Sequence, residues 1–200
     1  LEIVYATFAQ IEAAIDHRND MFMSKIRGLN TLKNRTFFVG NEEKFPKGCR
    51  SCLLGTGLSA IRKTNKCNLE CKFCYNFGEL EDISPVGEGM WGIGGTKFYE
   101  KDIDLLLSIH QKPSGISYVY LEPFMEIEKY YSVIKKFSDA QIHQHLYTNG
   151  TLATEETLKA LGEAGLDEIR FNLGAAKCSD KVIENIKIAK KYIKNVGIET

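Results

Sequence analysis

The sequence lacks an excess of charge of either sign, and it lacks any long uncharged hydrophobic run. Lysine and arginine together number 26, as do aspartate and glutamate, so the net charge indicates neither a nucleic acid nor a membrane surface as a partner. The first twenty residues mix charged with apolar side chains, a pattern that predicts neither a signal peptide nor a membrane span. The hydrophobic fraction of 44% is enough for a globular core. Because the sequence predicts no signal peptide and no membrane span, we expect a cytoplasmic protein.

The pattern of a disulfide framework is also absent, although the chain has six cysteines. Five of them crowd into 26 positions: Cys49, Cys52, Cys67, Cys71 and Cys74. In a chain long enough to bury a core, such crowding indicates metal binding in a reducing compartment rather than disulfides. The sixth cysteine, Cys178, stands alone and is predicted to be a small buried hydrophobic side chain.

The two ends of the chain suggest a piece of a longer protein. The chain opens on Leu1 rather than on a methionine, and it closes on "NVGIET", which has the pattern of a strand beginning. We predict that residues 1–48 form a mostly helical N-terminal extension. Residues 49–200 are predicted to form a core that is truncated at its C-terminal end.

Strands and helices alternate from Gly115 onward. The segments "ISYVYLEP", "QIHQHLYTN" and "LDEIRFNLG" have the pattern of strands, and amphipathic helical stretches separate them. Connections of this length return the chain to start the next strand in the same direction, so we predict a parallel sheet with helices on its outer face. Residues 57–64 are predicted to be a strand, whereas residues 45–57 and 76–96 are predicted to be irregular.

Cys67, Cys71 and Cys74 form a single compact group directly after the strand at residues 57–64. A structural zinc site uses four ligands, which usually come as two separated pairs. A tight loop of three thiolates suits a cubane iron–sulfur cluster, which is left with one iron that has no protein ligand. That open iron can take a substrate or a cofactor, as open positions do in catalytic metal sites.

The motif Cys67-x-x-x-Cys71-x-x-Cys74, with Phe73 before its last cysteine, resembles the signature of the radical S-adenosylmethionine (radical SAM) enzymes. The resemblance implies a [4Fe-4S] cluster on these cysteines, with S-adenosylmethionine on the fourth iron. The implied fold is α/β, a partial (β/α)6-type TIM-like barrel with a parallel sheet and outer helices, whose last strand or strands are missing from this chain. The implied chemistry uses a reductant such as flavodoxin or ferredoxin, and it cleaves S-adenosylmethionine to a 5′-deoxyadenosyl radical that abstracts hydrogen from a substrate.

The resemblance extends to residues that would contact the cofactor. The family's Gly-Gly-Glu-Pro turn matches "YLEP" at residues 120–123, where both glycines are replaced and Glu122 remains for the methionyl amino group. The polar end of the family's third strand matches "YTNG" at residues 147–150. The implied cofactor contacts are Phe73, Glu122, Thr148, Asn149, Arg170 and Asn172. The resemblance assigns no catalytic residue in this chain.

Polar side chains recur on one face of two predicted strands. Alternation in "DEIRFNL" places Glu168, Arg170 and Asn172 on one face, which we predict to look into the barrel. The fork of Arg170 suits a carboxylate, and an internal ion pair with Glu168 is an equally good interpretation. His143 and His145 share a face of the preceding strand, where we expect them to line the barrel or form hydrogen bonds, because no third metal ligand is apparent.

Cys49 and Cys52 leave several interpretations open. A CxxC pair can complete a zinc site, help to ligate a second cluster, act as a redox pair or sit buried. Two competing functions follow, a zinc-binding interaction domain that uses four of the clustered cysteines and a thiol-disulfide oxidoreductase centred on this pair. The substrate does not follow from the sequence, since glycyl-radical activation, peptide modification, nucleotide or tRNA modification and small-molecule rearrangement all use the radical SAM core.

Overall fold

The computed structural model of the protein describes residues 5–32, 36–54, 58–74, 86–93, 96–109 and 115–200. The chain divides into two compact units, Leu1–Phe45 and Pro46–Thr200. All the candidate site residues belong to the second unit. That the catalytic core begins at residue 49 stays a prediction.

The first unit consists of a helix followed by a hairpin. Helix α1 (Phe8–Lys25) begins with a capping box, in which the Gln10 amide donates to Thr7 Oγ1 at 3.3 Å and the Thr7 amide donates to Gln10 Oε1 at 2.8 Å. Strands β1 (Leu29–Leu32) and β2 (Thr36–Val39) pair antiparallel. The sequence predicts the helix but not the hairpin, because short apolar runs do not distinguish a strand from a helix.

The second unit is built on a seven-stranded sheet, with strands in the order β5-β4-β3-β6-β7-β8-β9. In chain order these strands are β3 (Leu58–Arg62), β4 (Met90–Ile93), β5 (Thr96–Tyr99), β6 (Gly115–Tyr118), β7 (His143–Thr148), β8 (Glu168–Asn172) and β9 (Asn195–Glu199). The helices of this unit are α2 (Lys47–Leu54), α3 (Ile103–Ile109), α4 (Tyr131–Asp139), α5 (Glu155–Ala164) and α6 (Asp180–Tyr192).

Five neighbouring strands of the sheet run parallel to one another, in the order β3, β6, β7, β8 and β9. Helices α4, α5 and α6 connect β6 through to β9, and such crossovers are what parallel pairing requires. Within the described residues, β5 and β9 are the two edges of the sheet, and no pairing closes it into a barrel. The predicted α/β fold, with a largely parallel sheet and helices around it, is confirmed.

Strands β4 and β5 form an antiparallel hairpin that joins the edge of this sheet. The sequence predicts an irregular loop for residues 76–96, and for β4 that prediction is wrong. Trp91 in β4 is 1% exposed and packs edge-on against Tyr118 and Tyr130, with ring centroids 6.4 and 5.0 Å apart. These partners are distant in the sequence, and glycines interrupt the local alternation, so local pattern does not reveal the strand.

Residues 47–54 form helix α2, where the sequence predicts an irregular link. This prediction is also wrong. Helix α2 packs on β6 and β7, and such packing outweighs the low helix propensity of Gly48. As a consequence, Cys49 is held against the sheet rather than in a loop.

Strand β8 shows how the two faces of the sheet differ. Ile169 and Phe171 are fully buried, and a side chain added at Gly150 would meet both Phe171 and Val182 of α6, so this face is covered by the connecting helices. Glu168 lies on the other face, where its Oε1 is 3.7 Å from the sulfur of Cys49 in α2. The predicted alternation of apolar and polar faces along β8 is therefore confirmed.

Candidate functional site

The three cysteines of the CxxxCxxC motif follow β3 in a compact turn. The Cys74 amide donates to the carbonyl of Cys71 at 3.0 Å, and the Leu69 amide donates to the sulfur of Cys67 at 3.4 Å. Cys67 is exposed, and the other two are partly buried. The turn thus presents its sulfur atoms near the surface and already directs one backbone donor at a sulfur, which suits a bound anionic thiolate.

Electrostatics favour the protonated thiol in this turn. Burial raises the pKa of Cys67, and the neighbouring Glu122, Cys71 and Cys74 raise it further, while the Leu69 amide opposes them. Burial also raises the pKa of Cys71, again with a contribution from Cys74. Thiolates held this close together need a positive partner, and bound metal supplies one.

The spacing of the cysteine sulfurs distinguishes between two kinds of metal group. Among the described residues, the group of three or more ligands that converges within 4.8 Å is His143, His145 and Glu168, and the cysteine turn is not such a group. A single zinc ion needs its ligand atoms around one point, whereas each thiolate on a cubane binds a different iron. The turn could hold a cubane cluster, with one thiolate on each of three irons.

The cysteine turn is tied to the segment after β7 by two asparagines. The Asn68 side-chain amide donates to Thr151 Oγ1 at 2.8 Å, and the Asn149 side-chain amide donates to Asn68 Oδ1 at 2.9 Å. The Thr151 amide in turn donates to Asn149 Oδ1 at 2.9 Å. Neither Asn68 nor Thr151 is among the residues predicted from sequence, and the available signal is that Asn68 directly follows Cys67.

Glu122 is the centre of a buried hydrogen-bond network at the ends of β6 and β7, which we call the Glu122 network. Its carboxylate is 1% exposed and accepts from Thr148 Oγ1 and the Asn149 amide, each at 2.7 Å, and from the Phe124 amide at 3.1 Å. The Glu122 amide donates to the carbonyl of Lys66, just before the cysteine turn, at 3.1 Å. The structure therefore brings together three residues that the sequence predicts as cofactor contacts.

The charge state of Glu122 is set by two opposing effects. Burial raises the pKa of the Glu122 carboxyl, and the hydrogen bonds from Asn149, Thr148 and Phe124 oppose that rise. The net effect is a pKa above the ordinary value. A nearby cation would favour the ionised form.

The turn before Glu122 keeps an unusual backbone conformation. Tyr120 has φ +79° and Leu121 has φ +55°, both in the left-handed region that favours glycine. These are the two positions where the radical SAM family's turn carries glycines. Two non-glycine residues in this conformation cost strain.

Phe73 and Asn172 meet at the same end of the sheet as the cysteine turn. A side chain added at Gly174 would contact Asn172 Oδ1 at 3.4 Å and Phe73 Cζ at 3.8 Å. Asn172 Oδ1 also accepts from the Ala175 amide at 2.8 Å, and the Phe73 side chain is 65% exposed. Both side chains therefore lie close to Gly174, and their contact with a cofactor stays a prediction.

Arg170 contacts Glu168, Cys49 and Glu199. Its Nε donates to Glu168 Oε1 at 2.7 Å, it also donates to the sulfur of Cys49, and a second nitrogen is 3.5 Å from Glu199 Oε1. Burial disfavours the charged form of Arg170, but Glu168 and Cys49 outweigh it and raise its pKa. The internal ion pair with Glu168 is confirmed, and contact between Arg170 and the cofactor stays a prediction.

His143 and His145 gather with Glu168 at the start of β7 and β8. The expected hydrogen bonding is confirmed for His143, whose Nε2 lies 3.4 Å from Glu168 Oε2. Glu168 is also a possible third metal ligand that was not apparent from the sequence. Burial lowers the pKa of His145 to about 4, so its ring is neutral at pH 7. The sequence does not predict Glu168 as a partner of the histidines, because its place beside His145 depends on the register of two strands.

Two cysteines outside the motif differ in their exposure: Cys49 is partly buried and Cys178 is exposed. Burial, and then Glu168, raises the pKa of the Cys49 thiol. Cys178 is exposed rather than buried as predicted, because it lies in a turn after β8 and has φ +51°. The side chain of Cys52 lies outside the described part of the structure.

Comparison with known proteins gives the class. Residues 61–200 match the family model of the Radical SAM superfamily. The matched segment covers well over half of the chain and includes the cysteine turn and the Glu122 network. The chain therefore belongs to the radical SAM superfamily, a superfamily of enzymes.

Two curated proteins are similar to this chain in sequence. A protein of Methanocaldococcus jannaschii, provisionally named a glycyl-radical enzyme activating enzyme, is 30% identical over an alignment of 183 positions that covers 86% of this chain and 46% of the relative. The tungsten-containing aldehyde ferredoxin oxidoreductase cofactor-modifying protein of Pyrococcus furiosus is 27% identical over an alignment of 152 positions that covers 67% of this chain and 38% of that protein. The chain thus spans less than half the length of each relative.

One solved structure, described as "Native anSMEcpe with bound AdoMet", has the same fold. It superposes with a TM-score of 0.52 at 18% identity, covering 71% of this chain and 43% of that chain. The partial barrel predicted from the cysteine motif agrees with this likeness. Across the described residues, no helix is long and apolar enough to cross a membrane.

Proposed function

We propose that this chain forms the part of a radical SAM enzyme that binds the [4Fe-4S] cluster and S-adenosylmethionine and cleaves the latter reductively. The observation that carries the proposal is the chain of hydrogen bonds from the cysteine turn through Asn68 and Asn149 to the Glu122 carboxylate. This chain of contacts joins the predicted cluster ligands to the predicted cofactor contacts in one rigid arrangement.

The residues divide into two roles. Cys67, Cys71 and Cys74 would hold the cluster, and Glu122 with Asn149 would hold the methionyl end of the cofactor. When bound, the cluster supplies the electron that converts S-adenosylmethionine to methionine and a 5′-deoxyadenosyl radical. The protein's own part is to position and to shield, because the radical chemistry belongs to the cofactor.

Glu122 is prepared for an amino group by the residues around it. Thr148 and the Asn149 amide each donate to a different carboxylate oxygen, so the plane of the carboxylate is fixed. Oε1 also accepts from the Phe124 amide, and Oε2 keeps a further acceptor site. A methionyl ammonium group would then add a charge-assisted hydrogen bond. It would also offset the cost of burying the carboxylate.

Phe73 and Asn172 would border the cofactor from the side of β8. For Arg170 the corresponding role stays a prediction, and its ion pair with Glu168 competes for the guanidinium. Thr148 would act on the cofactor through Glu122, since its hydroxyl is used in the bond to that carboxylate.

The substrate and partners follow from the relatives' names only as proposals. The name of the M. jannaschii relative supports a glycyl-radical enzyme as substrate, which would donate a hydrogen atom from a backbone glycine. A flavodoxin or ferredoxin would supply the electron. A thiol-disulfide oxidoreductase is less well supported, because the raised pKa of Cys49 reduces its thiolate fraction.

The test uses the full-length protein, reconstituted with iron and sulfide without oxygen, reduced with dithionite and supplied with S-adenosylmethionine. We expect a brown protein that releases 5′-deoxyadenosine, detected by chromatography. Cys71→Ala should abolish release, and Cys178→Ala, a matched cysteine outside the motif, should preserve it. A colourless protein that retains zinc and releases nothing would contradict the proposal.

A further inference from the structure

We propose that His143, His145 and Glu168 bind a zinc ion, with Cys49 as the fourth ligand. The three side chains come from the first halves of β7 and β8, and Cys49 comes from helix α2. The site is distinct from the cysteine turn and would hold the helix against the sheet.

The distances among the donor atoms suit one ion. The ligand atoms of the two histidines and Glu168 lie within 4.8 Å of one another. His143 Nε2 is 3.4 Å from Glu168 Oε2. The Cys49 sulfur lies outside this group of three and is 3.7 Å from the other carboxylate oxygen, Glu168 Oε1, so it would have to approach the ion to complete the site. Metal bonds of about 2.0–2.3 Å at tetrahedral angles place neighbouring ligand atoms about 3.3–3.8 Å apart.

Gly48 leaves the centre of this group free of side-chain atoms. A Cβ at this position would lie 2.8 Å from His143 Nε2, 2.8 Å from His145 Nδ1 and 3.1 Å from Glu168 Oε2. Three donor atoms from two strands therefore face one point beside the α2 backbone. Any residue other than glycine would place carbon among them.

His145 provides an independent indication of a ligand. Its side chain is 2% exposed, and Nδ1 is buried without a hydrogen-bond partner. A buried polar atom without a partner costs free energy. A metal ion at the centre of the group would satisfy this nitrogen.

The surroundings orient the histidine ligand and balance the charge. Asp167 Oδ2 lies 3.7 Å from Nδ1 of His143 and is itself fixed by the Gln144 amide at 2.9 Å. A carboxylate behind a histidine is the usual second contact of a metal ligand, and it leaves Nε2 for the metal. Glu168 and a Cys49 thiolate would bring two negative charges to the ion, and Arg170, which contacts both, offsets one of them. The donor set of two imidazoles, a carboxylate and a thiolate favours zinc.

The position of the site indicates a structural role. His143 begins β7, whereas Thr148, in the Glu122 network, ends it. At about 3.3 Å per residue, roughly 16 Å of strand separate the two sites. In barrels of parallel strands, chemistry is placed at the carboxyl ends and the opposite end contributes to stability.

The test removes the competing cysteine turn first. In the full-length protein with Cys67, Cys71 and Cys74 all changed to alanine, metal is stripped with a chelator and zinc is restored by dialysis. Plasma mass spectrometry should then find about one zinc per chain. Because this protein carries no cluster, its zinc content is independent of any release of 5′-deoxyadenosine.

Variants in that background locate the zinc. His145→Ala should lose it, and His17→Ala, an exposed histidine in the first unit, should keep it. Gly48→Ala should exclude zinc without removing a ligand, and Gly87→Ala should not, because a side chain there meets only the flexible Met90. Asp167→Asn should weaken binding about tenfold or more.

Two further measurements keep the outcome clear if a variant folds poorly. Circular dichroism of each metal-free variant reports its fold, and zinc should raise the melting temperature of the parent but not that of Gly48→Ala. Cobalt in place of zinc should show a sulfur-to-metal absorption band that Cys49→Ser removes. Absence of zinc from the parent, or zinc retained by a folded His145→Ala, would overturn the proposal.

Discussion

The backbone amide of Asn149 donates to Glu122 Oε2 across 2.7 Å, joining the end of β7 to the turn that follows β6. The same asparagine reaches Asn68 in the cysteine turn through its side chain. One residue thus connects a buried carboxylate to the candidate cluster ligands. These hydrogen bonds hold the residues of the site in place, and a substitution that removes one group would leave its partner group unsatisfied.

Thr148 tests how much of the stability of the unit depends on the Glu122 network. Thr148→Val keeps the shape of the side chain but removes the donor to Glu122 Oε1 and the acceptor for the Gly150 amide. We expect a loss of about 1–3 kcal/mol in the free energy of unfolding, measured with urea. Thr96→Val, at an exposed position of β5, should change it by less than about 0.5 kcal/mol, and equal effects would contradict this role.

The pH dependence of stability should reveal the buried Glu122 carboxyl. Because its pKa is higher in the folded protein, the folded state binds this proton more tightly than the unfolded state. Its stabilising contribution is therefore complete below the ordinary pKa of about 4.5 and is lost as the pH rises through the folded pKa.

Glu122→Gln cannot titrate, so it provides the comparison. The unfolding free energy of the wild type relative to Glu122→Gln should decrease between about pH 4 and pH 7. Urea unfolding of both proteins without cluster, at several pH values, measures this difference while other titrating groups cancel. A difference that is constant, or that grows in favour of the wild type, would refute the assignment.

Several features of this fold and site follow from the sequence because they are local. The alternation in β8 correctly separates Ile169 and Phe171 from Glu168 and Arg170, and Thr154 caps helix α5 with its own side chain. Spacing within eight residues is enough to mark the cysteine turn.

Other features are set by contacts between distant residues. Strand β4 is defined by the packing of Trp91 on Tyr118, and the group of two histidines and Glu168 depends on the pairing of His145 with Glu168 in neighbouring strands. Helix α2 forms against β6 and β7 despite Gly48. Local periodicity contains no information on register or on such packing, so these features required the structure.

The left-handed turn before Glu122 makes a prediction about glycine. With φ +55° at Leu121, glycine should be better tolerated than alanine once the side chain is removed. We expect Leu121→Gly to be more stable than Leu121→Ala by about 1 kcal/mol in urea unfolding. At Leu152, which does not have a positive φ, the alanine variant should be at least as stable as the glycine variant. If the alanine variant were at least as stable as the glycine variant at Leu121 too, Leu121 would be unstrained.

Asn68 should matter for holding the cluster rather than for the fold as a whole. Asn68→Ala removes both hydrogen bonds that tie the cysteine turn to Asn149 and Thr151. Each bond contributes about 0.5–1.5 kcal/mol, so we expect a chelator to remove the cluster about tenfold faster. The decay of the cluster's visible absorbance measures this rate. Asn30→Ala, on the first unit's hairpin, is the matched control. Because Asn68 is exposed, the melting temperature of the cluster-free Asn68→Ala protein should stay close to that of the wild type. Equal rates of cluster loss for Asn68→Ala and the control would show that the bridge to Asn149 does not secure the cysteine turn.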